Sequence, residues 1–161
     1  MRYRQDYCET HDIDWFATYR GVPIHVASNG MIVPDFIDSK TNKVIQRYVS
    51  RFDEMFQVSI LAGSQNIESL YEGVEDARNT YLSSFVHMAC LGFCSFDSIR
   101  DEYPWLEYRL DLVAMPQYHF RPDEIERVEF LRGLLPEIPE YFAQALGLDR
   151  YPIWELNYET R

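Results

Sequence analysis

The chain has 161 residues, enough for one domain with a substantial core, and 47% of them are hydrophobic, which excludes a disordered chain. No apolar run approaches the ~18 residues that would cross a membrane. The formal net charge of −11 argues against binding to nucleic-acid phosphates, which requires a basic surface. We therefore expect a single domain over residues 1–161, with neither a nucleic acid nor a membrane as its partner.

The cysteine content predicts where the protein resides. Three cysteines are too few, and odd in number, for a disulfide framework. Residues 1–6 lack the apolar segment of a signal peptide. Both features predict a cytoplasmic protein with reduced thiols.

The first predicted element is a β-hairpin with arms at residues 12–19 and 22–28. Arg20 and Gly21 form its two-residue turn, because glycine supplies the positive φ that such turns need. In this register the alternate residues of both arms form one apolar face. That face consists of Ile13, Trp15, Ala17, Tyr19, Val22, Ile24 and Val26.

Helical periodicity follows over residues 40–56, with Asp38 or Ser39 able to cap the start. A short helix over 66–71 is predicted next, and then one long helix over 74–96. One face of the long helix is apolar and includes Leu82, Phe85 and Ala89. The apolar positions of the helix over 40–56 are Val44, Ile45, Tyr48, Val49, Phe52, Met55 and Phe56.

The C-terminal part of the sequence predicts a strand over residues 105–115, two further amphipathic helices and a last strand over 151–158. Pro122 suits the first turn of one helix, and Gly147 suits the end of the other. The order of elements predicts an α+β domain. Its antiparallel sheet includes the N-terminal hairpin and is packed by several helices, one of them long and central.

The second face of the hairpin is the first candidate site. It carries Asp12, Asp14 and Phe16, with His25 directly opposite Phe16. Two carboxylates beside an imidazole could bind a divalent cation or perform acid–base chemistry. A solvated outer face of the sheet would need no function. Asp12, Asp14 and His25 are thus candidate catalytic residues.

The long helix offers a second candidate site, because His87, Cys90 and Cys94 share one face at helical spacing. They could hold zinc, with Cys8 or His119 as a fourth ligand, or form a thiolate nucleophile with His87 as its base. The alternative is that the cysteines are small buried hydrophobes, since the last turns of the helix are apolar nearly all round.

A third candidate is a row of cations at spacing 3, 4 and 4: Lys40, Lys43, Arg47 and Arg51. Such a row can bind an acidic partner or a phosphate. A solvated helix face balanced by Asp53 and Glu54 is the simpler interpretation.

The sequence contains no glycine-rich phosphate loop, no nucleophile elbow and no zinc-protease motif, so we expect no cofactor. Acidity and abundant aromatic residues are typical of small inhibitors, immunity proteins and regulatory adaptors. The leading hypothesis is therefore a small acidic interaction protein that binds another protein through an acidic, aromatic-rich surface, whose charge favours a basic partner. Self-association into a homo-oligomer is a variant of it. The alternative hypothesis is a small metal-dependent hydrolase that uses Asp12, Asp14 and His25.

Overall fold

The computed structural model describes residues 1–61, 73–100 and 108–151. The short helix predicted over 66–71, the start of the strand predicted at 105 and nearly all of the strand predicted over 151–158 lie outside these residues. In chain order, the described elements are α1 (Gln5–Thr10), β1 (Asp14–Tyr19), β2 (Val22–Ala27), α2 (Ser39–Val49), β3 (Gln57–Ile60), α3 (Glu75–Leu91), β4 (Cys94–Arg100), β5 (Tyr108–Gln117), α4 (Pro122–Leu134), α5 (Glu140–Ala145) and a 3-10 turn (Leu148–Arg150).

The five strands form one mixed sheet in the order β1-β2-β4-β5-β3. The predicted α+β class is confirmed, with the N-terminal hairpin at one edge and one long helix. Three strand pairs are antiparallel as expected, whereas β2 and β4 run parallel. The chain between β2 and β4 contains α2, β3 and α3, which gives it the length that a parallel crossover needs.

The hairpin has the predicted register. Trp15 pairs with Val26, and Tyr19 pairs with Val22. Arg20 and Gly21 have φ angles of 50° and 77°, the left-handed conformation that matches a two-residue turn to the twist of its strands. All seven residues of the predicted apolar face are buried in one hydrophobic cluster.

The second face of the hairpin is covered at Phe16 and His25 and remains partly open only at its start, around Asp12 and Asp14, so it is not a solvated outer face. Phe16 and His25 are each 1% exposed. Phe16 packs in a cluster with Ile45 and Val49 of α2 and with residues from the ends of α3 and α4. Three helices therefore cover a face of the hairpin that period-2 alternation along its strands would leave facing water.

The long helix is shorter than predicted. Its α-helical part ends at Leu91, and Gly92 adopts a φ of 114°. Cys94 therefore belongs to β4 rather than to the helix. Leu82, Phe85 and Ala89 are buried as predicted, and the opposite side is open to solvent around His87. No helix in residues 1–61, 73–100 and 108–151 is both long and apolar enough to span a membrane.

Substituting Gly92 with alanine is expected to lower the free energy of unfolding by about 1–3 kcal/mol, because a side chain is strained at this φ. The added Cβ would also lie 2.9 Å from Cε2 of Phe56. The matched control is Gly133→Ala inside α4, where a Cβ meets no atom within 4 Å. That change should raise stability by about 0.5–1 kcal/mol. If chemical denaturation shows the same change in the free energy of unfolding for both variants, the result would contradict a helix end at Gly92.

Candidate functional site

A buried hydrogen-bond chain connects three strands on the second face of the hairpin. His25 lies 2.8 Å from Oδ1 of Asp14 through its Nε2 and 2.7 Å from Oγ of Ser95 through its Nδ1. The parallel pairing of β2 and β4 places Ser95 directly opposite His25. Nε2–H donates to the carboxylate of Asp14, and Nδ1 shares the second hydrogen bond with the Ser95 hydroxyl.

The hydrogen-bonded residues Asp14, His25 and Ser95 are of the types found in a serine hydrolase. Here, however, the serine is buried and the carboxylate is half exposed. Ser95 is fully buried, and the exposed end is Asp14, whose side chain is 48% exposed. A serine nucleophile must reach its substrate, so Ser95 cannot fill that role here. We conclude that His25 and Ser95 position the carboxylate of Asp14.

Asp14 is held at its backbone as well as at its side chain. Its carbonyl oxygen accepts hydrogen bonds from Nδ2 of Asn42 at 2.9 Å and from Nε2 of Gln46 at 2.7 Å. Oδ2 has no hydrogen-bond partner among the described residues. The result is a fixed carboxylate with one oxygen available.

That carboxylate lines a cleft of about 550 Å³ between the start of β1, the N-terminal segment, α2 and α3. We call it the Asp14 cleft. It brings together members of all three sequence-predicted sets, namely Asp12 and Asp14, Lys43, and His87. His25 lies behind Asp14 and does not line the cleft. The other lining residues are Tyr3, Tyr7, Ile13, Phe16, Gln46, Val49, Ser50 and Met88.

The geometry does not support a metal centre at either predicted position. In the part of the chain that the structure describes, no three His, Cys, Asp or Glu side chains are grouped to hold a metal ion. His25 is already engaged at both ring nitrogens, and the metal-dependent hydrolase that uses Asp12, Asp14 and His25 stays a prediction.

His87, Cys90 and Cys94 do not share one helix face as the sequence spacing indicated, because α3 ends at Leu91 and Cys94 lies in β4. Cys94 is buried in β4, and burial raises the pKa of its thiol to about 12. Burial also raises the pKa of Cys90. A nucleophilic cysteine needs a lowered pKa. His87 instead lies 2.6 Å from a carboxylate oxygen of Glu54.

The predicted row of cations is exposed, but it is only partly helical. Lys40, Lys43 and Arg47 lie on α2, and Arg51 lies just beyond its end. Asp53 and Glu54 were expected to balance them, yet none of the four cations forms an ion pair with a carboxylate of the described residues. Lys43 lines the Asp14 cleft.

Beside this row lies an exposed apolar surface that the sequence did not indicate. We call it the aromatic patch and define it as Val44, Tyr48, Phe52 and Phe130. Ile45 and Val49 take the core side of α2, which leaves Val44 and Tyr48 facing outward. The ring centroid of Phe130 lies 6.4 Å from that of Tyr48 and 5.9 Å from that of Phe52. Tyr48 and Phe130 remain 47% and 48% exposed.

No family model, no curated protein and no solved structure gives a significant match to this chain. Function therefore has to be inferred from the chemistry of its own surfaces.

Proposed function

We propose that this protein acts by binding another protein, and that the aromatic patch is its docking surface. The observation that carries the proposal is the side-by-side exposure of Tyr48 and Phe130 next to two cations without counter-ions, Arg47 and Arg51. Tyrosine and arginine are enriched among the residues that dominate binding energy at protein interfaces. Contiguous exposed aromatic surface is typical of such interfaces.

The local charge defines the partner at this surface. Net charge alone suggests a basic partner, because the whole chain carries −11. Beside Tyr48, however, the local charges are cationic, since Arg47 on α2 and Arg51 just beyond its end form no ion pairs with the described residues. We therefore assign the surface to a protein segment that has apolar side chains flanked by carboxylates. Helical peptides dock in this manner on apolar helix surfaces.

We propose that the interaction takes place in the cytoplasm, because the free cysteines are consistent with a reducing compartment. Cys8, Cys90 and Cys94 are all free thiols. Proteins that retain several unpaired cysteines are typical of compartments where glutathione and thioredoxin keep thiols reduced.

Truncation of the aromatic patch, or reversal of the two charges beside it, should weaken partner binding. Tyr48→Ala and the double change Arg47→Glu with Arg51→Glu are each expected to weaken binding of the cellular partner at least about tenfold. The matched control is Tyr141→Ala on α5, since Tyr141 is 71% exposed and lies outside the patch. Binding would be measured by affinity capture with quantitative mass spectrometry, followed by calorimetry on the purified partner.

The proposal requires one stoichiometric partner that the wild type and Tyr141→Ala retain and both patch variants lose, with affinity falling as salt rises. A partner lost equally by Tyr141→Ala would contradict it. The other occupant to exclude is a second copy of the chain, because Glu126 lies one helical turn from Phe130 and could meet Arg47 of another copy. If light scattering shows a dimer that Tyr48→Ala dissociates, a second copy occupies the aromatic patch and the proposal of a different protein as partner is wrong.

A further inference from the structure

We propose that the Asp14 cleft binds a basic amino acid, either free or as the C-terminal residue of a peptide. The cleft is separate from the aromatic patch, because neither Tyr48 nor Phe130 lines it. Its volume of about 550 Å³ lies within the range of small-molecule sites. The proposal rests on the charges that line the cleft and on how each one is held.

The negative end of the cleft consists of two carboxylates that are fixed but not saturated. Oδ1 of Asp12 accepts a hydrogen bond from the backbone N–H of Asn29 at 2.8 Å. Oδ1 of Asp14 accepts from the ring of His25. The second oxygen of each carboxylate has no partner among the described residues. Ammonium and guanidinium groups donate several hydrogen bonds at once, so they suit a pair of oriented acceptors.

The positive end of the cleft is Lys43. Its ammonium group forms no ion pair with Asp12 or Asp14, although all three side chains line the same cleft. The cleft continues past Lys43 into a hollow of about 360 Å³ that Arg2 and Arg4 also line. Arg2 is paired with Asp35 and Arg4 with Asp6. Lys43 is therefore the cation of this end that a ligand carboxylate would meet.

The charge count selects the ligand class. Asp12 and Asp14 against Lys43 leave one negative charge in excess, because His87 is already paired with Glu54. A free basic amino acid has two cationic groups and one carboxylate, so its net charge of +1 complements the cleft. The C-terminal basic residue of a peptide has only the side-chain cation and the carboxylate, so it matches the two ends but not the excess charge. Tyr3 and Tyr7 also line the cleft. Aromatic faces of this kind bind alkylammonium and guanidinium chains.

Nuclear magnetic resonance titration of the full chain with L-arginine and L-lysine tests the proposal. Two probes each remove one group: norleucine lacks the side-chain cation, and lysinamide lacks the carboxylate. A third probe, the dipeptide Gly-Arg, presents arginine at a peptide C-terminus. We expect the first two to bind at least about tenfold more weakly than lysine. Comparison of Gly-Arg with arginine separates a peptide terminus from a free amino acid as the source.

Two variants and a matched control complete the test. Lys43→Gln should weaken binding of lysine and arginine about tenfold and abolish the difference between lysine and lysinamide. Asp12→Asn should remove the preference for lysine over norleucine. Lys40→Gln is the control, because Lys40 is exposed on the same helix but does not line the cleft. The proposal is overturned if no basic amino acid shifts cleft resonances at about 10 mM, or if Lys40→Gln and Lys43→Gln weaken binding equally.

Discussion

Replacing Phe16 with alanine is expected to lower the free energy of unfolding by about 3–5 kcal/mol. Phe16 is 1% exposed, and its ring centroid lies 5.2 Å from that of Phe93 and 5.3 Å from that of His25. Truncation would leave a cavity where β1 meets α2, α3 and α4. It would also remove packing that holds the His25 ring between Asp14 and Ser95. Urea denaturation followed by circular dichroism measures the effect.

The matched control is Phe130→Ala, which removes an aromatic ring of the same size from the aromatic patch. Phe130 is half exposed, so the cost should stay within about 1 kcal/mol. If both substitutions destabilise the protein equally, the second face of the hairpin is not part of the core. A change in the slope of the free energy of unfolding against urea concentration would instead indicate an altered denatured state.

The hairpin could be predicted from the sequence because its determinants are local. The Arg20-Gly21 turn sets the register, and period-2 alternation identifies the face that contains Trp15 and Ile24. The burial of Phe16 could not be predicted in the same way. Its neighbours Val49, Phe93 and Leu131 come from parts of the chain that only the tertiary fold brings together.

The boundaries of the long helix show a different limit. Phe96 continues the helical apolar spacing, so periodicity alone extends the helix across Gly92 into β4. A buried strand and a buried helix segment look alike over a few residues. Gly92 was the available signal, since glycine commonly follows the last helical residue. The short elements α1 and β3 have too few residues to establish a period, and neither was predicted.

The candidate site was predicted in part. Asp14 and His25 could be placed on the same face because both lie in the hairpin. Ser95 became visible only with the parallel pairing of β2 and β4, which sequence patterns do not specify. Asn42 and Gln46 clamp the Asp14 carbonyl from α2, and amide side chains on a helix carry no sequence signal for such a role.

The second prediction of a large effect on stability concerns Asp97, which lies in the same sheet. It is buried on β4, where it accepts a hydrogen bond from the hydroxyl of Tyr81 on α3. Burial raises the pKa of Asp97 to about 6, the Tyr81 hydrogen bond acts in the opposite direction, and the charges of Asp12 and Asp111 raise it further. The carboxylate is still mostly ionised at pH 7, but its ionised form is less stable in the folded protein than in the unfolded chain.

The sign of the pH dependence follows from this raised pKa. Between pH 4 and pH 6 the folded state binds more protons than the unfolded state, whose carboxyl has the ordinary value of 3.8. Stability contributed by the protonated carboxyl is therefore present below about pH 4 and is lost as the pH rises through about 6. A difference of about two pKa units corresponds to at most about 3 kcal/mol.

Substituting Asp97 with asparagine is expected to stabilise the protein by about 1–3 kcal/mol at pH 7, because the neutral amide still accepts from Tyr81 and has no charge to desolvate. Near pH 4 the variant and the wild type should have similar stabilities. Tyr81→Phe is the opposing variant, since it removes the hydrogen bond that favours the carboxylate and should destabilise the protein most above pH 6. Urea unfolding at pH 4, 5, 6 and 7 measures both effects. An asparagine variant less stable than the wild type at pH 7 would show that the ionised carboxylate of Asp97 contributes to folding.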